Sequence, residues 1–250
     1  MAAVANRGWP KYRGTPVAVT FDFWNTLVAE PGGRLSTLRR DAVGEILRAA
    51  AAEIDEKTLD RHLAAAGAVY QTAWEAGQSF HPREAAEALV RELGFDGAAA
   101  AEVAGAYLEA GRDADLTLVP GAAETVRALA AAGVRLGIVC DVGLTGSQHL
   151  RAFLERAGLL ASFSGWAFSD EVGCFKPDPA IFDHVLSELA IGDPGSAMHV
   201  GDLRRTDVAG ARAAGLFAVR FRGAADDRSQ LLEADWVIDD FSELLQGLFP

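Results

Sequence analysis

The period of the hydrophobic pattern changes along this chain, and that change constrains the fold more than any other feature. From Leu35 to about Gly111 the apolar residues recur at helical spacing: Leu38, Ala42, Ile46 and Leu47, then Leu59, Leu63, Tyr70 and Trp74. His81-Pro82 opens a third helix, with proline at the first helical position and Glu84 in the first turn, and Ala98 to Ala110 reads as a fourth. After Val119-Pro120-Gly121 short apolar runs alternate with helical ones. The pattern predicts helix 122–132, strand 134–140, helix 147–157, strand 163–168, helix 179–190, strand 197–201, helix 207–214, strand 216–221 and a last strand near 236–238. One further strand, 17–22, precedes the helical stretch, and the break Glu30-Pro31-Gly32-Gly33-Arg34 separates the two. Strands alternating with helices imply a parallel sheet covered on both faces. The predicted organisation is an α/β core, 1–30 and 115–250, interrupted by a helical unit over 35–112.

Composition narrows the partners. The 250 residues carry 35 Asp+Glu against 23 Lys+Arg, a formal charge of −12 that disfavours nucleic acid and anionic membrane, since both call for a basic face. Half of the residues are apolar, which excludes a disordered chain. No apolar run reaches membrane-spanning length, and the opening MAAVANRGWPKYRG lacks the apolar stretch of an export signal. Cys140 and Cys174 are too few for a disulfide framework. These features predict a cytoplasmic protein, and a monomer or a homodimer is expected.

In parallel sheets the reactive crevice lies at the carboxyl ends of the strands. The first strand ends in Asp22, followed by Phe23, Trp24, Asn25 and Thr26; strand 134–140 runs into Cys140-Asp141; strand 197–201 runs into Gly201-Asp202, with Asp207 five residues on. The loop after strand 163–168 carries Lys176, and only two other lysines, Lys11 and Lys57, occur in the chain. Carboxylates and one rare lysine are therefore predicted to converge on one rim.

This ordered set resembles the haloacid dehalogenase-like (HAD) hydrolase superfamily. The resemblance spans nearly the whole chain: Asp22 at the first strand end, a helical insertion like the type 1 cap, VPGAAETVRALAAAG, KPDPAIF and HVGDLRRTDVAGARAAG. It implies a Rossmann-like core with an inserted cap, and Asp22 as a nucleophile that forms an aspartyl intermediate. Lys176 corresponds to the lysine that neutralises nucleophile and substrate. Mg²⁺ is implied at Asp22, the Trp24 carbonyl, Asp202 and Asp207, and a phosphorylated small molecule as substrate. A hard dication asks for oxygen ligands, and phosphoryl transfer to a carboxylate needs its charge repulsion cancelled, so the residue types agree.

Two departures bear on activity. The residue two after the nucleophile, an aspartate that serves as general acid/base in most phosphatases of the family, is Trp24 here. Its absence removes a contribution of about 10²–10⁴-fold to proton transfer. Cys140 and Asp141 stand where a hydroxyl residue and an asparagine commonly bind the substrate anion. Three readings follow: a Mg²⁺-dependent phosphohydrolase with an atypical motif, favouring leaving groups that need no proton; a metal-independent 2-haloacid dehalogenase, whose relatives carry an aromatic residue at the position of Trp24; and a catalytically degenerate binding protein. Outside this set the residues read as structure. Arg204 and Arg205 are expected to be solvated, the five histidines to be surface or satisfied core, and Tyr70 and Trp74 to pack the cap, with shaping a substrate pocket as the alternative for cap aromatics that face the crevice.

Overall fold

The computed structural model describes residues 14–249 except 31, 53 and 113. Residues 1–13 of the first predicted core segment, and Pro31 of the predicted crossing, lie outside the described residues. Strand β1 (Ala18–Phe21) is followed by the two-residue β2 (Val28–Ala29) and by four helices, α1 (Arg34–Ala49), α2 (Glu56–Ala76), α3 (Pro82–Leu93) and α4 (Gly97–Glu109). Then come β3 (Thr117–Leu118), α5 (Ala122–Ala131), β4 (Arg135–Cys140), α6 (Ser147–Arg156), β5 (Gly165–Phe168), α7 (Ser169–Val172), α8 (Pro179–Glu188), β6 (Ala197–Gly201), α9 (Ala209–Ala213), β7 (Phe217–Phe221), β8 (Trp236–Ile238) and α10 (Phe241–Leu248).

The strands of the main sheet are all parallel and lie in the order β5-β4-β1-β6-β7-β8. From β1 the chain builds outward to β4 and β5, then crosses back to β6 on the other flank and builds outward again. The direction reverses between β1 and β6, which makes the gap at their carboxyl ends the switch point where such sheets bind ligands. Alternation along the strands divides the core in two. Val19, Phe21, Leu136, Ile138 and Met198 point to α5, α6 and α10, while Ala18, Val139 and Ala218 point to α8 and α9. Among the described residues no helix is long and apolar enough to cross a membrane.

The four helices between β2 and β3 close on an apolar cluster that includes Val43, Leu47, Leu59, Leu89, Val103 and Tyr107. Their ends follow local chemistry. His81 caps α3, accepting from the Arg83 N–H, while Glu84 accepts from the His81 N–H at 2.7 Å. The cluster also takes in Phe175 and Leu144 from the loops of the sheet, so the helical layer is packed onto the carboxyl ends of the strands. β2 and β3 pair as an antiparallel ribbon where the chain leaves and re-enters the sheet.

The predicted strand and helix order stands, with four differences. The ribbon β2/β3 is too short to carry a pattern. Helix α7 is a single turn inside a predicted loop. Helix α10, capped by Asp240, extends beyond the last predicted element. The predicted helix 207–214 is shorter: α9 begins at Ala209, and a π-helical turn, Arg204–Val208, precedes it.

Candidate active site

Asp22 follows β1 directly and its N–H donates to the Val200 carbonyl of β6, so the neighbouring strand fixes its backbone. Asn25, in the left-handed region at φ 55°, turns the chain back so that the Val28 N–H reaches the Phe23 carbonyl. Within that turn the Trp24 carbonyl accepts no backbone hydrogen bond. The Trp24 ring is half-buried, edge-on to Phe23 at 5.0 Å, and packed against the core. Asp202 follows β6 across the switch point. Asp207 sits in the π-helical turn, which brings its carboxylate back over Gly201; a Cβ there would lie 2.3 Å from Asp207 Cγ.

Lys176 arrives from the loop before α8 and joins the two carboxylates. Its Nζ donates to Asp22 Oδ1 at 2.5 Å and to Asp207 Oδ1 at 2.7 Å, and all three side chains are buried. Carboxylate oxygens of Asp22, Asp202 and Asp207 lie within 4.8 Å of one another. The three acids are not equivalent. Asp207 is saturated: Oδ1 also faces His199 Nε2 at 3.1 Å, and Oδ2 accepts from the Leu203 N–H at 2.9 Å and the Thr206 hydroxyl at 3.3 Å. Asp22 keeps one oxygen with only a 3.5 Å contact to the Thr26 hydroxyl. The Asp202 side chain accepts no hydrogen bond from any other described residue.

The titration pattern follows from this partition. Burial raises the Asp22 carboxyl to about 7, with Lys176 opposing and Asp207 adding. Burial, then the charges of Asp207 and Asp22, raise Asp202 to about 8. Burial also works against charge on Asp207, but Lys176 and His199 outweigh it and hold that carboxyl well below the usual range. Lys176, although buried, is kept well above its ordinary value by Asp207 and Asp22. Two acids that resist ionising beside one that does not are a donor set short of positive charge. Among the described residues the oxygens left without a close protein donor are Asp22 Oδ2, those of Asp202 and the Trp24 carbonyl, and they fit a hard divalent cation.

The remaining predicted residues occupy less open positions. Cys140 is fully buried at the end of β4 within the apolar cluster, and burial, reinforced by Asp22, pushes its thiol up. Asp141 is paired: Oδ1 accepts from the Lys176 N–H at 3.0 Å and Oδ2 from Trp74 Nε1 at 2.9 Å. Burial still raises its carboxyl. Trp74 packs the helical layer as expected and also reaches the sheet, and Arg205, expected to be solvated, stacks on its indole at 3.8 Å. Arg204 is likewise tied down, with Nη2 2.7 Å from Glu233. Tyr70 touches both Phe80 of the helical layer and Phe175 of the loop that carries Lys176.

His199 is satisfied core, as the sequence reading of the histidines has it, but its place beside Asp207 was not foreseen. Fully buried on β6, it lies 2.9 Å from Thr20 Oγ1 through Nδ1 and directs Nε2 at the ionised Asp207. The available signal was register, because Thr20 and His199 are partners on adjacent parallel strands.

A family model for haloacid dehalogenase-like hydrolases matches residues 17–215. The chain belongs to this hydrolase family. Among curated relatives, the hydrolase is 33% identical over 211 residues to a glyceraldehyde 3-phosphate phosphatase from Methanopyrus kandleri, covering 82% of this chain and 83% of the relative. It is 30% identical over 132 residues to the pyrimidine 5'-nucleotidase YjjG of Escherichia coli, where it spans 53% of this chain and 57% of the relative. Solved structures share the hydrolase fold. A HAD phosphatase from Thermococcus onnurineus superposes with a TM-score of 0.66 at 24% identity, over 93% of this chain and 97% of the other. A 2-haloacid dehalogenase from Pseudomonas syringae pv. Tomato DC3000 gives 0.67 at 24% identity, over 92% and 97%.

Proposed function

We propose that this hydrolase is a Mg²⁺-dependent phosphohydrolase that acts on small phosphorylated molecules through Asp22. The observation that carries the reading is the carboxylate of Asp202, buried beside Asp22 with no cation of its own among the described residues. A metal-independent mechanism has no use for it. On this reading Asp22, the Trp24 carbonyl and Asp202 hold Mg²⁺, and Asp207 stays behind them, committed to Lys176. The metal, when bound, supplies positive charge to the nucleophile and the substrate oxygens.

Asp22 attacks phosphorus, the bond from phosphorus to the leaving oxygen breaks, and the leaving group departs with the electron pair. Water then cleaves the aspartyl phosphate and frees inorganic phosphate. Lys176 offsets the repulsion between the carboxylate and the incoming anion. Trp24 has no proton to give, so the leaving group must be stable as an anion, as in acyl phosphates or anhydrides. The four-helix layer α1–α4 is read as the cap over this centre, with Trp74 and Tyr70 at its contact with the sheet. The phosphatases among the relatives support the substrate class.

Trp24 is the one observation that favours dehalogenation, since halide leaves without a proton. A panel of acetyl phosphate, aryl and alkyl phosphates and 2-haloacids, assayed with and without Mg²⁺, decides between the readings. Mg²⁺-dependent turnover of acetyl phosphate is expected. Metal-independent release of halide overturns the proposal.

A further inference from the structure

Arg39 lies on the buried face of α1, between Tyr107 of α4 and the loop 141–146, and is only 7% exposed. Its Nη2 donates to Thr145 Oγ1 at 2.7 Å, and the guanidinium carbon stands 5.6 Å from the centre of the Tyr107 ring. The buried Nε meets no acceptor. Among the described residues no carboxylate pairs with this side chain within 4.0 Å. Other arginines behave differently. Arg40 binds Asp60 at 2.7 Å and Glu56 at 2.8 Å, and the buried Arg220 binds Glu233 at 2.7 Å and Asp226 at 3.0 Å. Arg39 is thus a buried cation without a counter-charge, and arginine does not escape that cost by giving up its proton. Burial pulls its guanidinium down, and the aid of Tyr107 and of the more distant Glu30 does not restore it.

A cavity of about 420 Å³ opens on the same residues, lined by Thr37, Arg39, Arg40, Asp60, Tyr107 and Leu144 among others. Such a volume admits a small organic anion. Tyr107 is itself buried, and its hydroxyl has no hydrogen-bond partner among the described residues. The acids at this cavity offer no relief, because Asp60 is engaged with Arg40 and is largely exposed. The cavity therefore presents an unmatched guanidinium and an unused phenol to whatever enters it.

We propose that this cavity is an anion-binding subsite in which Arg39 and the Tyr107 hydroxyl hold a carboxylate or phosphate group of a small molecule. It lies outside the Asp22 cluster, yet the loop 141–146 links them. Asp141 at its start is bound to the Lys176 backbone, and Thr145 near its end is bound to Arg39. An anion that draws on Arg39 is felt by that loop. The ligand has two candidate sources, the far end of a substrate whose phosphate faces Asp22 or a free anion that acts through the loop. Only the first rests on the function proposed above.

The test is calorimetric titration with sodium sulfate at about pH 9 in metal-free buffer, where the three carboxylates of the Asp22 cluster are ionised and repel an anion. Saturable binding is expected in the wild type, at least tenfold weaker in Arg39→Met. Tyr107→Phe removes one hydroxyl from a site it otherwise fills, so it is expected to fold and to weaken sulfate binding severalfold. It decides the matter should Arg39→Met fail to fold. Absence of saturable binding in the wild type, or equal affinity in the folded variants, overturns the subsite. The source is then read from kinetics. If the ligand is the substrate, KM in Arg39→Met rises about tenfold only for phosphorylated substrates that bear a second anionic group. If it is a free anion, KM is unchanged and sulfate alters turnover of wild type but not of Arg39→Met. Should neither acetyl phosphate nor any phosphate ester be turned over, the function proposed for Asp22 fails while the sulfate titration still reports on Arg39.

Discussion

Trp24 and Asp202 are the two residues whose chemistry departs most from their surroundings, and each leads to a measurement. With no proton donor at Trp24, the rate is expected to depend steeply on leaving-group pKa, so an alkyl phosphate lags far behind acetyl phosphate. Trp24→Asp is expected to raise alkyl-phosphate turnover by about 10²-fold or more, measured by phosphate release. A flat dependence in the wild type, lost on Asp141→Asn, would assign the general acid to Asp141, whose carboxyl burial already raises. Asp202→Asn is expected to weaken Mg²⁺ binding at least tenfold in calorimetry, because it removes the carboxylate that has no other partner; equal affinity in the variant refutes the metal reading.

The same acids set a pH dependence. Asp22 at about 7 and Asp202 at about 8 lie above the unfolded carboxylate value, so between about pH 4 and pH 8 the native state holds more protons than the unfolded one. Metal-free stability should therefore fall as pH rises through that window. Asp207 acts with the opposite sign, and its contribution is lost only as pH falls below the ordinary carboxylate range. Mg²⁺ competes with the two extra protons. Scanning calorimetry should show a larger Mg²⁺-induced rise in melting temperature near pH 8 than near pH 6. An equal rise at both refutes the assignment of these groups to the metal.

At the scale of elements, the turn after β6 governs the site. The π-helical turn Arg204–Val208 swings Asp207 back over Gly201, where both its oxygens are taken. Glycine is required there by close approach, since a Cβ would fall 2.3 Å from Asp207 Cγ. Gly201→Ala is expected to displace that carboxylate from Lys176, cost about 1–3 kcal/mol in denaturant unfolding and reduce turnover far more than the stability loss explains. Unchanged turnover would show that Asp207 does not position Lys176. Helix α9 is only five residues long because the turn consumes the residues that periodicity assigns to it.

At the scale of the whole molecule, the helical layer and the sheet meet at polar contacts as well as apolar ones. Trp74 is held between the Arg205 guanidinium and the Asp141 carboxylate, and Asp141 in turn holds the backbone of Lys176. Trp74→Phe keeps the ring stacking but deletes the hydrogen bond to a buried carboxylate. It is expected to cost about 1–3 kcal/mol and to lower kcat more than it changes the melting behaviour of the sheet, followed by hydrogen exchange. A loss confined to stability would make Trp74 structural only.

The sequence by itself determined the class of fold and the succession of helices and strands along the chain, and it singled out Asp22, Lys176, Asp202 and Asp207, which the fold gathers at one rim. Apolar periodicity is a local property, and in a parallel sheet the strand ends are brought to one rim by topology alone. It also marked the helical insertion, because four amphipathic stretches without a strand cannot join the sheet. What it could not supply was pairing. Whether Asp141 repels an anion or is satisfied depends on Trp74, 67 residues away, and whether Asp207 is free or saturated depends on His199 and on a π-helical turn. Arg39 reads as one more basic residue on a helix until α4 and the loop 141–146 close around it and leave it without a counter-charge. Charge is written in the sequence, but the partner that fixes its protonation, and the burial that sets its cost, arise only when distant segments pack.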